Sequence, residues 1–217
     1  MPVRIFLVDD HPVVQNGIKS ILKAQSGIEV VGEASDGRQA VREIVKSKPD
    51  VAIMDIAMPY LNGIEATRQI VENLPSCKVI ILSMHDSAEH IHHAFQAGAW
   101  GYLLKASVGQ EIVEAIQAVR AGKHFLSHGI SNILVNEFLV KNLNEPKKNP
   151  LELLSQRERE ILQLVAEGHS SAKIGEILFI SPKTVDTYRS RMMEKLNISD
   201  LPALVKFAIR HGLTPLE

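Results

Sequence analysis

Five short apolar runs, each followed by a stretch with helical spacing, govern what this chain can become. They occupy residues 4–8, 29–33, 51–54, 79–82 and 100–104. Runs this short and rich in Val, Ile and Leu suit strands buried on both faces. Between them apolar residues recur at i, i+3, i+4 and i+7, as in Ile112, Ala115, Ile116 and Val119, which is the stripe of an amphipathic helix. Strands alternating with helices specify βαβ units, so the expected class is α/β: a doubly wound parallel sheet of five strands and five helices.

The strand signals stop after Gly122. A possible helix over residues 130–140 leads into KNLNEPKKNP, which has the polar, proline-bearing composition of a linker. Everything beyond it reads as short helices. Ser155 and Glu158 form a capping box, Ser181 and Pro182 an N-cap and first helical residue, and a tight turn at residues 179–181 joins two helices. This pattern describes a helix-turn-helix. The expected organisation is an α/β domain over residues 1–122, a partly helical linker over 123–150 and a small all-α domain over 151–217.

Charge adds a mild asymmetry. The 217 residues carry 24 basic and 25 acidic side chains, a net charge of −1, which excludes a uniformly basic nucleic-acid coat. Residues 1–145 have net charge −3 and the remainder +2, so nucleic-acid contact is expected in the C-terminal part. A single cysteine, Cys77, allows no intrachain disulfide and fits a reducing cytosol. The apolar start VRIFLV is stopped by Asp9 and Asp10, and no run approaches the ~18 residues of a membrane span, so a soluble cytoplasmic protein is expected.

In a doubly wound sheet the strand C-termini share one edge, and ligands bind there. Asp9 and Asp10 end the first strand and Asp55 the third, so three carboxylates should converge. Left alone they would raise one another's pKa; a hard divalent cation with oxygen ligands, Mg²⁺ before others, resolves the repulsion. Ser83 and Lys105 end the fourth and fifth strands and add a hydroxyl and an ammonium suited to phosphate oxygens. Carboxylate nucleophile, metal, hydroxyl and lysine together describe a site that accepts a phosphoryl group on Asp55.

The motifs LVDDHP, MDIAMPYLNGIEA, ILSMHD and GYLLKAS resemble the receiver domain of bacterial two-component response regulators. The stretch LSQREREILQLVAEGHSSAKIGEILFISPKTVDTYRSRMMEKLNI is similar to the DNA-binding domain of the NarL/FixJ/LuxR group. That resemblance implies a flavodoxin-like (βα)5 receiver, with Asp55 as phosphoacceptor. Asp9, Asp10, Asp55 and the Ala57 backbone carbonyl would hold Mg²⁺, Ser83 and Lys105 would bind the phosphoryl oxygens, and Tyr102 would be the aromatic that turns inward on activation. It also implies a sensor histidine kinase as donor, DNA and the transcription machinery as partners, and a homodimer when phosphorylated. Ala57 and His85 occupy positions that tune the phosphoryl group's lifetime in that family.

A haloacid-dehalogenase-like phosphatase would need an aspartate where Ala57 stands, so the chain is not expected to be an enzyme beyond its own phosphorylation and dephosphorylation. The alternative is an atypical regulator that binds DNA independently of phosphate. On the fourth helix, Ile91, Ala94 and Phe95 make the buried stripe, which leaves His90, His92 and His93 expected on the solvated face.

In the C-terminal domain, turning Val185, Tyr188, Met192 and Leu196 inward leaves Lys183, Asp186, Thr187, Ser190 and Arg191 outward. With Thr184 beside them, that surface suits a major-groove reader. Thr187, Ser190 and Asp186 are expected at base edges, Lys183, Arg189 and Arg191 at phosphates, and the Tyr188 hydroxyl at the backbone. Lys173 stands where the family usually has Glu, three residues after Ser170, and is a further expected phosphate contact.

Overall fold

The computed structural model describes residues 1–130 and 150–214. The chain divides into two compact units, Met1–Glu145 and Pro146–Glu217. The helix anticipated over residues 130–140 and most of the linker lie outside the described residues.

The first unit is built on one parallel sheet. Its strands are β1 (Val3–Val8), β2 (Ile28–Ala34), β3 (Val51–Asp55), β4 (Lys78–Ser83), β5 (Gly101–Leu104) and β6 (Phe125–Leu126), in the order β2-β1-β3-β4-β5-β6. The order reverses between β1 and β3, so the crevice for a ligand opens at their C-terminal ends. Helices cover the faces: α1 (Pro12–Lys23), α2 (Gly37–Ser47), α3 (Gly63–Asn73), α4 (Ala88–Gln96) and α5 (Val108–Arg120). Ala52, Met54 and Ile81 pack with Ala40, Ile44, Ala66, Ile70 and Ile91 on one face. On the other, Ile5, Ile53 and Ile80 meet Ile18, Leu22, Ile112 and Ile116. Side-chain caps start several helices where strands end: Asp36 accepts from the Gln39 N–H at 2.8 Å and Asn62 from the Glu65 N–H at 2.9 Å.

The sixth strand departs from the expected five. Phe125 pairs with Gly101 and Leu126 with Tyr102, and two residues are too few to show strand alternation in a sequence. The pairing continues into the next residue, whose N–H (Ser127) donates to the Tyr102 carbonyl at 2.9 Å. The buried Ser127 hydroxyl donates to the buried carboxylate of Glu111 on α5, and Ile130 is buried in the same core as Tyr102.

The second unit has four helices after a short 3-10 turn at Pro150–Leu153: α6 (Gln156–Ala166), α7 (Ser171–Leu178), α8 (Pro182–Leu196) and α9 (Leu201–Arg210). The Ser155–Glu158 capping box forms, and Pro182 opens α8 behind the Ser181 cap, as the sequence predicts. The α7–α8 turn is tight. A Cβ on Gly175 would sit 2.7 Å from the Ile180 carbonyl, so that approach requires glycine. Phe179 closes α7 in the left-handed region at φ 56°. Ile161, Leu164, Ile174, Val185, Met192 and Leu204 fill one core. No helix among the described residues is long and apolar enough to cross a membrane.

Candidate functional site

β1, β3 and β5 deliver the acidic residues and the lysine to one crevice. Asp9 follows β1 and Asp55 is the last residue of β3, both buried, while Asp10 is partly exposed. Lys105 begins the turn after β5, and its Nζ lies 2.8 Å from an oxygen of Asp9 and 2.8 Å from an oxygen of Asp55. Past Asp55 the chain is held tightly. Ile56 N–H donates to the Leu82 carbonyl at 3.2 Å, and Gly63 N–H returns to the Ile56 carbonyl at 2.9 Å.

Burial pushes the Asp55 carboxyl up to about 6, against the opposing pull of Lys105, and Asp9 and Asp10 raise it further. Burial works against the Lys105 ammonium too, but its hydrogen bonds to Asp55 and Asp9 outweigh that and hold its pKa above the ordinary lysine value. At neutral pH the Asp55 carboxyl is therefore mostly ionised and faces the Lys105 ammonium. Asp9, Asp10, His11 and Asp55 each offer a ligand atom, all within 4.8 Å of one another, so the residues fit one divalent cation. His11 was not among the residues predicted from sequence.

The β4 and β5 ends supply the remaining parts. Ser83 is buried, and its hydroxyl accepts from the His85 N–H at 2.9 Å. Tyr102 is fully buried and donates its hydroxyl to the His85 carbonyl at 2.8 Å, and burial pushes that phenol up to about 12. The ring points inward, and its hydroxyl ties β5 to the loop after Ser83. Ala57 is partly buried, two residues past Asp55.

The histidines of α4 do not all lie on the solvated face. His92 is exposed, but His93 is buried and His90 partly so, because α4 is covered over a wider arc than the stripe of Ile91, Ala94 and Phe95. His90 stacks on His85 with ring centroids 5.0 Å apart, and burial followed by the His85 charge lowers its pKa.

In the second unit, α8 turns Val185 and Met192 into the core, with Tyr188 and Leu196 packed partly against it. Lys183, Asp186, Thr187, Ser190 and Arg191 are exposed, as expected, and Thr184 and Arg189 are partly so. Lys183, Thr184, Thr187, Tyr188 and Arg191 share one concavity with Ser181. Thr187 and Ser190 donate their hydroxyls back to the carbonyls of Lys183 and Asp186, at 2.9 and 3.1 Å, which leaves the hydroxyl oxygens as acceptors.

Asp186 is engaged within the domain. It accepts from the Ser171 hydroxyl at 2.6 Å, and the Arg189 guanidinium donates to that same hydroxyl at 3.0 Å. The start of α7 is thereby tied to α8. Lys173 is exposed; Ser170 caps its N–H at 3.2 Å, and its ammonium pairs with Glu176 at 3.1 Å.

Fold and site together define a receiver joined to a helix-turn-helix module. The family model for the response regulator receiver domain matches residues 5–117, and that for bacterial regulatory proteins of the luxR family matches residues 152–208. Among curated relatives, the oxygen regulatory protein NreC of Staphylococcus carnosus is 39% identical over 215 residues, covering 97% of this chain and 99% of that protein. The transcriptional regulatory protein DegU of Brevibacillus brevis is 36% identical over 222 residues, covering 97% and 94%. A solved complex of the response regulator RcsB with DNA has a TM-score of 0.59 at 27% identity, covering 95% of this chain and 98% of that one. The chain belongs to the two-component response regulators of the NarL/FixJ/LuxR group.

Proposed function

We propose that Asp55 accepts a phosphoryl group from the phosphohistidine of a cognate sensor kinase in the cytoplasm, and that this drives pairing of the chain and promoter binding through α8. The observation that carries this reading is the double pairing of Lys105, 2.8 Å from both Asp9 and Asp55. An ammonium already poised on the nucleophile is placed to transfer to a phosphoryl oxygen when Asp55 becomes an acyl phosphate. Asp9, Asp10, Asp55 and the Ala57 carbonyl would hold Mg²⁺, whose charge offsets the negative charge that builds on the transferring group. Ser83 reports the event: once its hydroxyl turns to a phosphoryl oxygen, the bond from His85 is released, and with it the support of the Tyr102 hydroxyl. The only chemistry of the site is then its own phosphorylation and hydrolysis.

Wild-type protein given a small phosphodonor and Mg²⁺ should gain one phosphoryl group and bind promoter DNA more tightly. DNA affinity that stays equal while the label is taken up would favour the atypical, phosphate-independent reading.

The DNA face carries two further expectations. Arg191→Ala should weaken binding by a similar factor on every sequence and lower the slope of log affinity against log salt by about one. Thr187→Ala should instead relax preference at one base pair, by roughly 1–3 kcal/mol of discrimination. Lys173→Glu completes a capping box with Ser170 at the expense of an exposed ion pair, so the domain should gain about 0.5 kcal/mol in a denaturant titration. If Lys173 touches a phosphate, the same variant loses about one unit of salt slope; an unchanged slope would make it an ordinary surface residue.

A further inference from the structure

His11 directly follows the two aspartates, and its backbone is fixed from both sides. It is the N-cap residue of α1 at φ −100°, ψ 107°, with Pro12 locked into the first helical position. Its own N–H donates to Asp9 Oδ1 at 2.8 Å. The imidazole makes no capping bond to the helix, so its nitrogens are not used there. Instead Nδ1 lies 2.7 Å from Asp10 Oδ1 and 3.4 Å from Asp9 Oδ1. With Asp55 included, one donor atom from each of the four residues falls within 4.8 Å of the others. Ligands bound at ~2.0–2.2 Å to one ion lie no further apart than this.

We propose that His11 is a further protein ligand of this centre, beside the three carboxylates and the Ala57 carbonyl, and that the centre accepts first-row transition cations such as Mn²⁺ with a ring nitrogen in the coordination sphere. The proposal rests on the reading that the carboxylates hold a divalent cation. Mg²⁺ keeps its waters and takes oxygen ligands, so with Mg²⁺ the imidazole stays on Asp10 as a hydrogen-bond partner. A softer ion accepts imidazole readily, and the ring already offers a nitrogen within 4.8 Å of a donor atom of each carboxylate. The His11 side chain is 66% exposed, so the crevice does not have to open for that exchange. Adding one imidazole to the oxygen ligands makes the site discriminate less strongly for Mg²⁺ than an all-oxygen site, and the chain would respond to which cation is available.

The test uses the full chain with Mn²⁺ and Mg²⁺ as probes. In wild-type protein, electron spin-echo modulation of bound Mn²⁺ should show one directly coordinated nitrogen. His11→Gln should abolish that signal and weaken Mn²⁺ about tenfold while changing Mg²⁺ affinity less than about twofold. Because the ring makes no capping bond, the variant should keep the wild-type circular dichroism and melting midpoint. Bound Mn²⁺ without nitrogen modulation in the wild type would overturn the assignment and leave the carboxylate site standing. Nitrogen modulation that survives His11→Gln would place the ion at another histidine and overturn it too. If neither cation binds, the metal reading of the crevice itself fails.

Discussion

Asp55→Asn should take up no phosphoryl group from any donor, and at neutral pH it should be more stable than the wild type. The first result follows from the proposed role of Asp55 as nucleophile, since an amide oxygen at this position cannot form the acyl phosphate. The second follows from burial, which lifts the Asp55 carboxyl from 3.8 to about 6 in the folded chain. A raised folded pKa means the native state binds the proton more tightly than the unfolded state. The stabilisation this gives is complete below pH 3.8 and is lost as pH rises through about 6.

Asparagine has no such dependence, so the difference between variant and wild type should open between those two values and then stay flat. The gap at neutral pH should be on the order of 1–2 kcal/mol in the variant's favour, less than the full shift because Lys105 loses one of its two partners. Chemical denaturation across pH measures it. A variant less stable than wild type at neutral pH would mean that the Lys105 pairing outweighs desolvation. Added Mg²⁺ should stabilise the wild type by mass action and leave the variant nearly unmoved.

Gly63→Ala should be the most damaging single-methyl change in the receiver. An added Cβ would lie 1.9 Å from the Asp55 carbonyl oxygen and 2.8 Å from its carbonyl carbon, and both are backbone atoms that cannot rotate away. Either α3 moves outward, breaking the 2.9 Å bond from Gly63 to the Ile56 carbonyl, or the end of β3 shifts and takes Asp55 with it. The expected loss is about 3 kcal/mol, at the upper end for overpacking, with phosphoryl uptake falling further than stability alone accounts for. Comparing the labelling rate of the residual folded fraction with the loss in denaturant midpoint separates the two effects.

Much of this was written into the sequence because it lies at element ends. A carboxylate, a hydroxyl or a lysine directly after an apolar run is placed by the parallel topology itself, so Asp9, Asp55, Ser83 and Lys105 could be assigned to one edge without coordinates. The missed features depend on partners far along the chain or on patterns too short to see. β6 has two residues and no periodicity. Asp186 looks free on a helical wheel, yet Ser171, fifteen residues earlier, occupies it. His93 is buried by the breadth of the cover over α4, which its own apolar stripe understates. His11 stood in plain sight beside two aspartates, but its usefulness depends on a ring orientation that shows only in its contact with Asp10.

The pairing of β6 bears on how such chains can be cut and rejoined. Phe125 donates its N–H to the Trp100 carbonyl at 3.0 Å and Ser127 to the Tyr102 carbonyl at 2.9 Å. A receiver ended at Gly122 would leave those two acceptors open along a bare sheet edge, and removing Ile130 would hollow the core around Tyr102. An isolated fragment made that way should self-associate through the uncovered β5. A chimera that grafts a foreign DNA-binding domain should therefore place its seam beyond Ile130, so that β5 keeps its partner strand and Tyr102 its packing.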